Sequence, residues 1–524
     1  MGATKAPYGE WESPITPQFI TGSTLSLSSV KLDDDGNLYW LEGRPKEKGR
    51  YVVVKRDAGS RAEVDVTPPD ANVRTRVHEY GGGAFALAPK ALGGGVIYSN
   101  FSDQRLYWSG KEGAAAPLCV TPSTPEGRFR YGDGEVVRVG REAFELVCVR
   151  EDHGAAGDAL PKDVKNEVVA VALDGSGSER VLATGQDFYL SPRVSHPNDP
   201  EAARHLAYVS YDHPSMPWDT TTLRVTGFSA SSSAPDTATH RLVDGADGDT
   251  SVMQPSWHAS GALYYISDAT GFYNFRRVPP VGALEDVAPG APILPHEGAD
   301  FGGSSPGWML GQRGYAFLAD GRVAAHVPDR DAEAGGTMLV VFDEPSDARG
   351  DLAEQVARSK RAFRGGDGLP YFFGNLCPSA DGGTLYMLAG AADQPTSVSC
   401  WRPDGGGAPS EVIKCSSTAD MAALSEFVSA PSPITFPSVL GEAHGYFYAP
   451  RNDRFTADGA PPLLVKAHGG PTSCASSVFS PSIQFWTSRG FAVLDGASLS
   501  PGAQTRARPR ARALTPCERT RSHS

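Results

Sequence analysis

One short strand rich in aromatic and β-branched residues, followed by a polar turn, recurs along most of the chain, and such a repeat constrains the fold more than any single motif. Its copies are Asn37–Glu42, Gly95–Asn100, Phe144–Val149, Leu206–Tyr211, Leu263–Asp268, Tyr315–Asp320 and Leu385–Gly390. Measured between Tyr39, Ile97, Leu146, Tyr208, Tyr264, Phe317 and Tyr386, the spacings are 58, 49, 62, 56, 53 and 69 residues. That is close to the ~40–50 residues of a four-stranded blade plus loop insertions. Turns at Asp35-Gly36, Ser260-Gly261 and Asp381-Gly382-Gly383 precede several copies, and apolar strands such as Tyr51–Val54 and Asn166–Val171 follow others, so hairpins dominate. The 59 glycines and 42 prolines among 524 residues suit many short strands joined by turns. The pattern predicts a mainly β protein, with an N-terminal segment over 1–25 and a seven-bladed β-propeller over 26–425. A pair of β-sandwiches, the other all-β solution, should not recur at blade length.

The last part of the chain reads differently. Ser429–Pro437 is proline-rich and is expected to be a connector between domains. Leu463–Ala467 then forms an apolar strand running into the turn His468-Gly469-Gly470-Pro471, and Ser488–Asp495 reads as the next strand. In a complete parallel sheet both would be buried on both faces, but their later neighbours and most covering helices are not found in this sequence, so exposed edges are expected. In α/β-hydrolases a turn of this type supplies a backbone N–H to the oxyanion hole, and Ser, Asp/Glu and His follow it in that order. Here only 53 residues follow Pro471. Residues 426–495 are therefore expected to be the connector and an incomplete N-terminal fragment of an α/β-hydrolase domain. From Gly496 onward the patterning stops, as in Arg506-Ala507-Arg508-Pro509-Arg510-Ala511-Arg512. Residues 496–524 are expected to be a disordered basic tail translated outside the ancestral frame, and limited proteolysis is expected to cut first beyond about Pro431.

A propeller followed by this strand and turn resembles the prolyl oligopeptidase family of serine peptidases, especially its acylaminoacyl-peptidase and dipeptidyl-aminopeptidase-like branch. Arg76–Phe85 (with His-Glu-Tyr-Gly-Gly-Gly), His213–Asp219, Gln254–His258, Ser267–Asn274 and Ala443–Pro450 carry the same resemblance, which spans roughly residues 5–495. It implies a serine-type peptidase acting on short peptides or N-terminal residues, with the propeller limiting access. It also implies that Gly470 offers its N–H to the oxyanion, that Gly469 and Pro471 hold the loop, and that His468 is structural. The family's nucleophile elbow, Gly-x-Ser-x-Gly-Gly, is not found after Asp495. No catalytic residue can be assigned, and these 524 residues are expected to be inactive alone. The competing readings are a non-catalytic propeller that binds peptides or proteins, and a regulatory subunit of an intact paralogue.

Other motifs fail on position or chemistry. Gly303-Ser304-Ser305-Pro306-Gly307 matches G-x-S-x-G but precedes the hydrolase strand and has Pro306 where the elbow must enter a helix. His444 also precedes that strand and is expected at a strand end. His78-Glu79 lacks a second histidine four residues after the first. Asp33-Asp34-Asp35-Gly36 has Arg44 where a calcium loop needs glutamate. Trp218-Asp219 is a lone dipeptide expected to serve packing.

The net charge of −13 argues against nucleic acid and anionic membranes as partners. No apolar run reaches the ~20 residues of a membrane span, and the N-terminus has no signal core. Seven dispersed cysteines without a C-x-x-C pair disfavour disulfides and zinc. The expectations are a cytoplasmic protein with no cofactor and no metal, whose ligands are peptides or acylated peptides and whose protein partners are further copies of itself or a paralogue.

Overall fold

The computed structural model describes residues 3–496 apart from 23, 111–115, 126, 156, 158, 231–239, 281, 295–299, 303–306, 330, 333–334, 366–367, 439–440 and 470–474. The molecule is mainly β, and seven four-stranded antiparallel meanders follow one another along the chain. Their first strands are Ser26–Leu32, Phe85–Leu87, Phe129–Arg138, Phe188–Val194, Val252–Trp257, Tyr315–Phe317 and Phe372–Pro378.

Each sheet buries its faces against its sequence neighbours. Tyr39, Leu41 and Val53 of the first sheet pack on Phe85, Val96 and Tyr98 of the second. Tyr264, Ile266 and Phe275 of the fifth pack on Tyr315, Val323 and Phe342 of the sixth. The series returns on itself, because Leu27, Val30 and Trp40 of the first sheet share a core with Val398 of the seventh. Burial of this apolar area, at roughly 25 cal/mol per Å², is what holds the sheets together.

The repeated aromatic strands occupy the second place in six of these sheets. The sixth is different. Tyr315–Phe317 is the first strand there, and the second is Val323–Pro328, which carries no aromatic residue. Counted to Ala324 on that strand, the spacings of 53 and 69 become 60 and 62.

A local feature repeats with the sheets. Five first strands carry a bulge in which a non-glycine residue takes a left-handed backbone: Ser29, Asp133, Ser191, Gln254 and Asn375, with φ between 49° and 57°. Such a conformation costs about 1–2 kcal/mol. Side-chain bonds to the next sheet offset it. Asn375 Oδ1 accepts from Val30 N at 2.6 Å, Asp133 Oδ2 from Ser191 N at 3.1 Å, and Gln254 Oε1 from Gly314 N at 2.7 Å.

His326, on the second strand of the sixth sheet, is held neutral by burial, which pushes its imidazole down to about 4. The folded value lies below the unfolded ~6.5, so this stability is complete above pH 6.5 and is lost as pH falls toward 4. The full effect is of order 3 kcal/mol. Urea unfolding of the native chain and His326→Gln at pH 7 and pH 4.5 should show a smaller loss in the variant; equal losses would contradict the assignment.

The eighth sheet has the strand order Pro431–Ser438, Gly441–Tyr448, Ala492–Gly496, Leu463–Ala467. The first two form a hairpin, so the proline-rich stretch expected as a connector is a strand. Its position explains this. Pro431, Pro433 and Pro437 stand at alternate positions of an edge strand, so their missing N–H groups all face the unpaired side. The last two strands run parallel and are joined through the helix Pro481–Thr487.

The N-terminal segment packs on this unit. Thr4–Lys5 pairs with Phe455–Thr456, Asn452 Nδ2 donates to Glu12 O and Ser488 O at 2.9 Å, and Arg489 Nη1 donates to Ile15 O at 2.9 Å. Trp11 is buried and stacks on Phe455 at 6.3 Å. Residues 497–524, expected as a basic tail, lie outside the described residues.

Candidate active-site strand and the adjoining sheet ends

The strand Leu463–Ala467 delivers the turn that the sequence singles out. It pairs with Ala492–Gly496 in a register that sets Lys466 beside Asp495, and Lys466 Nζ donates to Asp495 Oδ2 at 2.7 Å. Asp495 is buried at the end of its strand. Gln484 of the intervening helix is buried and brackets Ser429, accepting from its N–H at 2.7 Å and donating to its carbonyl at 3.1 Å. This fixes the β-α-β unit to the start of the eighth sheet. Phe479 N donates to Ala391 O at 2.8 Å, which fixes it to the seventh.

His468 and Gly469 follow the strand, with His468 Nδ1 3.4 Å from Gly469 O. Gly470 and Pro471 lie outside the described residues, as do Ser304, Ser305 and Pro306.

The exposed edge expected of this incomplete sheet is seen on one of the two strands. Ala492 and Val493 are buried, but Leu463 is 52% exposed and Val465 67%. The Leu463–Ala467 strand is outermost, and no described strand pairs with its far side. An open apolar edge of this kind templates association. Val465→Lys should change stability by less than about 0.5 kcal/mol while suppressing aggregation during mild heating followed by light scattering. Unchanged scattering would mean that the edge does not drive association.

At the ends where the first strands of the sheets begin, two loops meet. Gly82 forms a parallel bridge with Leu310, and Leu310 N donates to Gly81 O at 2.9 Å. Beside this seam Tyr80, 63% exposed, stacks edge-on against Trp308 at 4.7 Å. His78 packs on Phe188 at 5.3 Å, and Phe188 stacks on Tyr211 at 4.6 Å. Glu151 Oε1 accepts from His78 N at 2.7 Å, and Glu79 from Arg130 at 2.5 Å.

The other candidate residues have structural roles. His78 and Glu79 both have left-handed backbones, so no helix presents them to a metal. Asp33 Oδ1 accepts from Asp35 N and Asn37 N, closing a turn. Asp219 accepts from Met216 N in another. His444 lies within its strand and not at the end, bonded to Thr435 Oγ1 at 3.0 Å. Among the described residues no group of three His, Cys, Asp or Glu side chains is placed to hold a metal, and no helix is long and apolar enough to cross a membrane. Cys119, Cys148, Cys377, Cys400 and Cys415 are free thiols.

A cavity of about 370 Å³ lies where the first, seventh and eighth sheets approach, lined by Thr24, Ser26, Thr396, Ser416, Phe479 and Pro481 among others. It has the size of a ligand site but no titratable side chain, so it offers no acid–base chemistry.

Comparison with solved structures identifies the relatives of this arrangement. A puromycin-hydrolyzing peptidase of Mycobacterium tuberculosis superposes with a TM-score of 0.78 at 30% identity, covering 94% of this chain and 69% of its own. The chain belongs to the prolyl oligopeptidase family of serine peptidases. A puromycin hydrolase matches at 28% identity and TM-score 0.78, again over 94% of this chain and 69% of its own. A mutant of puromycin hydrolase complexed with PGG matches at TM-score 0.77. The acylaminoacyl peptidase of Pyrococcus horikoshii shares the fold at 11% identity and TM-score 0.56, over 90% of this chain and 64% of its own. No family model and no curated protein matches the sequence.

The acidic and basic groups on the first strands went unnoticed in the sequence. Lys31, Asp133, Glu135 and Arg193 belong to three different sheets, and Arg313 precedes a fourth. Ser191-Pro192-Arg193 and Gln254-Pro255-Ser256 share a central proline at the bulge, which is the one local trace of it.

Proposed function

We propose that this chain provides the access-limiting and oxyanion-binding parts of a serine-type peptidase that takes short peptides or the N-terminal residues of longer ones. The seven meanders are read as the blades of a β-propeller, and residues 426–495 as the start of the α/β-hydrolase domain. The observation that carries the proposal is the parallel strand Leu463–Ala467, which runs into His468-Gly469 and whose outer edge no described strand pairs.

An oxyanion donor acts within about 3 Å of the reacting carbonyl oxygen, so the nucleophile must lie beside the turn after this strand. One flank of the Leu463–Ala467 strand is taken by Ala492–Gly496. The free flank is where a strand carrying Gly-x-Ser-x-Gly would pair, and that pairing would cover Leu463 and Val465. The relatives named as puromycin hydrolases, one of them complexed with PGG, support a small peptide or aminoacyl compound as ligand. Peptide binding without chemistry is the second reading, favoured by the exposed Tyr80–Trp308 pair on the propeller face.

Incubation of the 524-residue chain with a fluorophosphonate probe, beside calorimetric titration with Pro-Gly-Gly, tests both readings. The expected result is no labelled serine together with measurable binding that weakens in Tyr80→Ala. Labelling would overturn the assignment of chemistry to a nucleophile outside these residues. Absence of binding would remove the peptide ligand.

A further inference from the structure

The innermost strands enclose a group of charges that do not balance. Arg193 and Asp133, both buried, pair at 2.6 Å, and Arg193 also donates to Pro192 O at 2.7 Å. Glu135 Oε2 accepts from Val194 N at 2.8 Å. Lys31 Nζ has a neutral partner, Phe85 O at 2.7 Å, and lies over the Phe85 ring at 4.7 Å. Arg313 has no hydrogen bond or ion pair among the described residues. Three cations therefore face two carboxylates.

The cations also press on one another. Burial, followed by the charges of Arg313 and Arg193, pulls Lys31 down to about 8. Burial and the neighbouring Arg193 lower Arg313 as well. The guanidinium of Arg313 stays open to water although protein surrounds it, which places it on the wall of an internal channel. A small cavity there is lined by Ser191, Arg193, Gln254, Ser256, Arg313 and Tyr315. It has room for about one water-sized group. Tyr315 Oη is committed to the carbonyls of Gln254 and Tyr264, and Gln254 Oε1 to Gly314 N. The Ser256 hydroxyl is bonded to Tyr315, so the groups left for a ligand are the Arg313 guanidinium and the hydroxyl of Ser191.

We infer that Arg313, with Arg193 and Lys31 behind it, forms an anion site inside the ring of sheets that takes one small monovalent anion, either a halide-sized inorganic ion or the terminal carboxylate of a peptide. Three cations beside two carboxylates repel one another, and a monoanion neutralises the excess charge. The inference rests on the innermost strands and does not depend on the peptidase reading.

Thermal unfolding of the full chain tests it, with sodium chloride exchanged for sodium gluconate at constant ionic strength. Chloride should raise Tm saturably by about 1–3 °C. Arg313→Gln should lose most of that rise and should start from a higher Tm in gluconate, because removing one like charge relieves the repulsion. Arg313→Lys, which keeps the charge, should retain part of the response. If acetyl-glycyl-glycine also raises Tm in gluconate while its amide does not, the site accepts a peptide carboxylate. If chloride alone acts, the occupant is inorganic. A wild-type Tm indifferent to all these anions, or an equal chloride response in Arg313→Gln, overturns the proposal.

Discussion

Replacing Gly82 by valine should cost about 4 kcal/mol or more, enough to unfold a marginal protein at 37 °C. A Cβ on Gly82 would stand 2.2 Å from Leu310 O and 2.8 Å from Leu310 N, both backbone atoms held by the bridge, and its φ of +96° is strained for any L side chain. Neither loop can yield easily, because a Cβ on Gly311 of the other loop would likewise stand 2.7 Å from Gly83. Gly94 is the control. Its φ is +68° but nothing lies within 4 Å, so Gly94→Ala should cost only the left-handed conformation, about 1–2 kcal/mol. Urea midpoints of the two variants should differ widely. Similar midpoints would mean that the seam between the loops is not rigid.

Asp133→Ala should cost about 3–5 kcal/mol, because it strands a buried guanidinium and removes the acceptor for Ser191 N. A second substitution that removes the stranded charge, Arg193→Met, should restore part of this loss and not add to it. Denaturant unfolding of the two single variants and the double variant decides it. Additive losses would show that the pair is not the unit that holds the third sheet to the fourth.

These two sites differ in how far the chain reveals them. Gly81-Gly82-Gly83 is visible as a motif because a run of glycines marks a backbone that others approach closely. What approaches it, Leu310, lies more than two hundred residues away and carries no mark. The second strands were legible wherever aromatic residues filled the space between sheets. The sixth misled because its aromatic residues sit on the first strand, while Val-Ala-Ala-His-Val-Pro forms the second. Pro431–Ser438 read as a linker because proline reports what a strand lacks, not which edge it occupies. The Leu463–Ala467 strand is apolar in composition yet outermost among the described strands, and its open edge was expected from the sequence. His468 and Gly469 follow the strand where the sequence placed them, because turn chemistry is local. Lys31, Asp133, Arg193 and Arg313 were not legible there, since only the return of the seventh sheet to the first brings them to one channel.

The bonds between Glu12 or Ile15 and residues 452–489 join positions more than 430 apart in sequence. During synthesis the opening segment must therefore wait for almost the whole chain before its partners exist. Trp11 and Tyr8 spend that interval without the cover that Phe455 and Gly490 later give them. At ~5–20 residues per second the wait is roughly half a minute or more. Residues made before the sheets settle after them, and the interval in which Trp11 stays uncovered is set by translation speed rather than by any barrier in the finished fold.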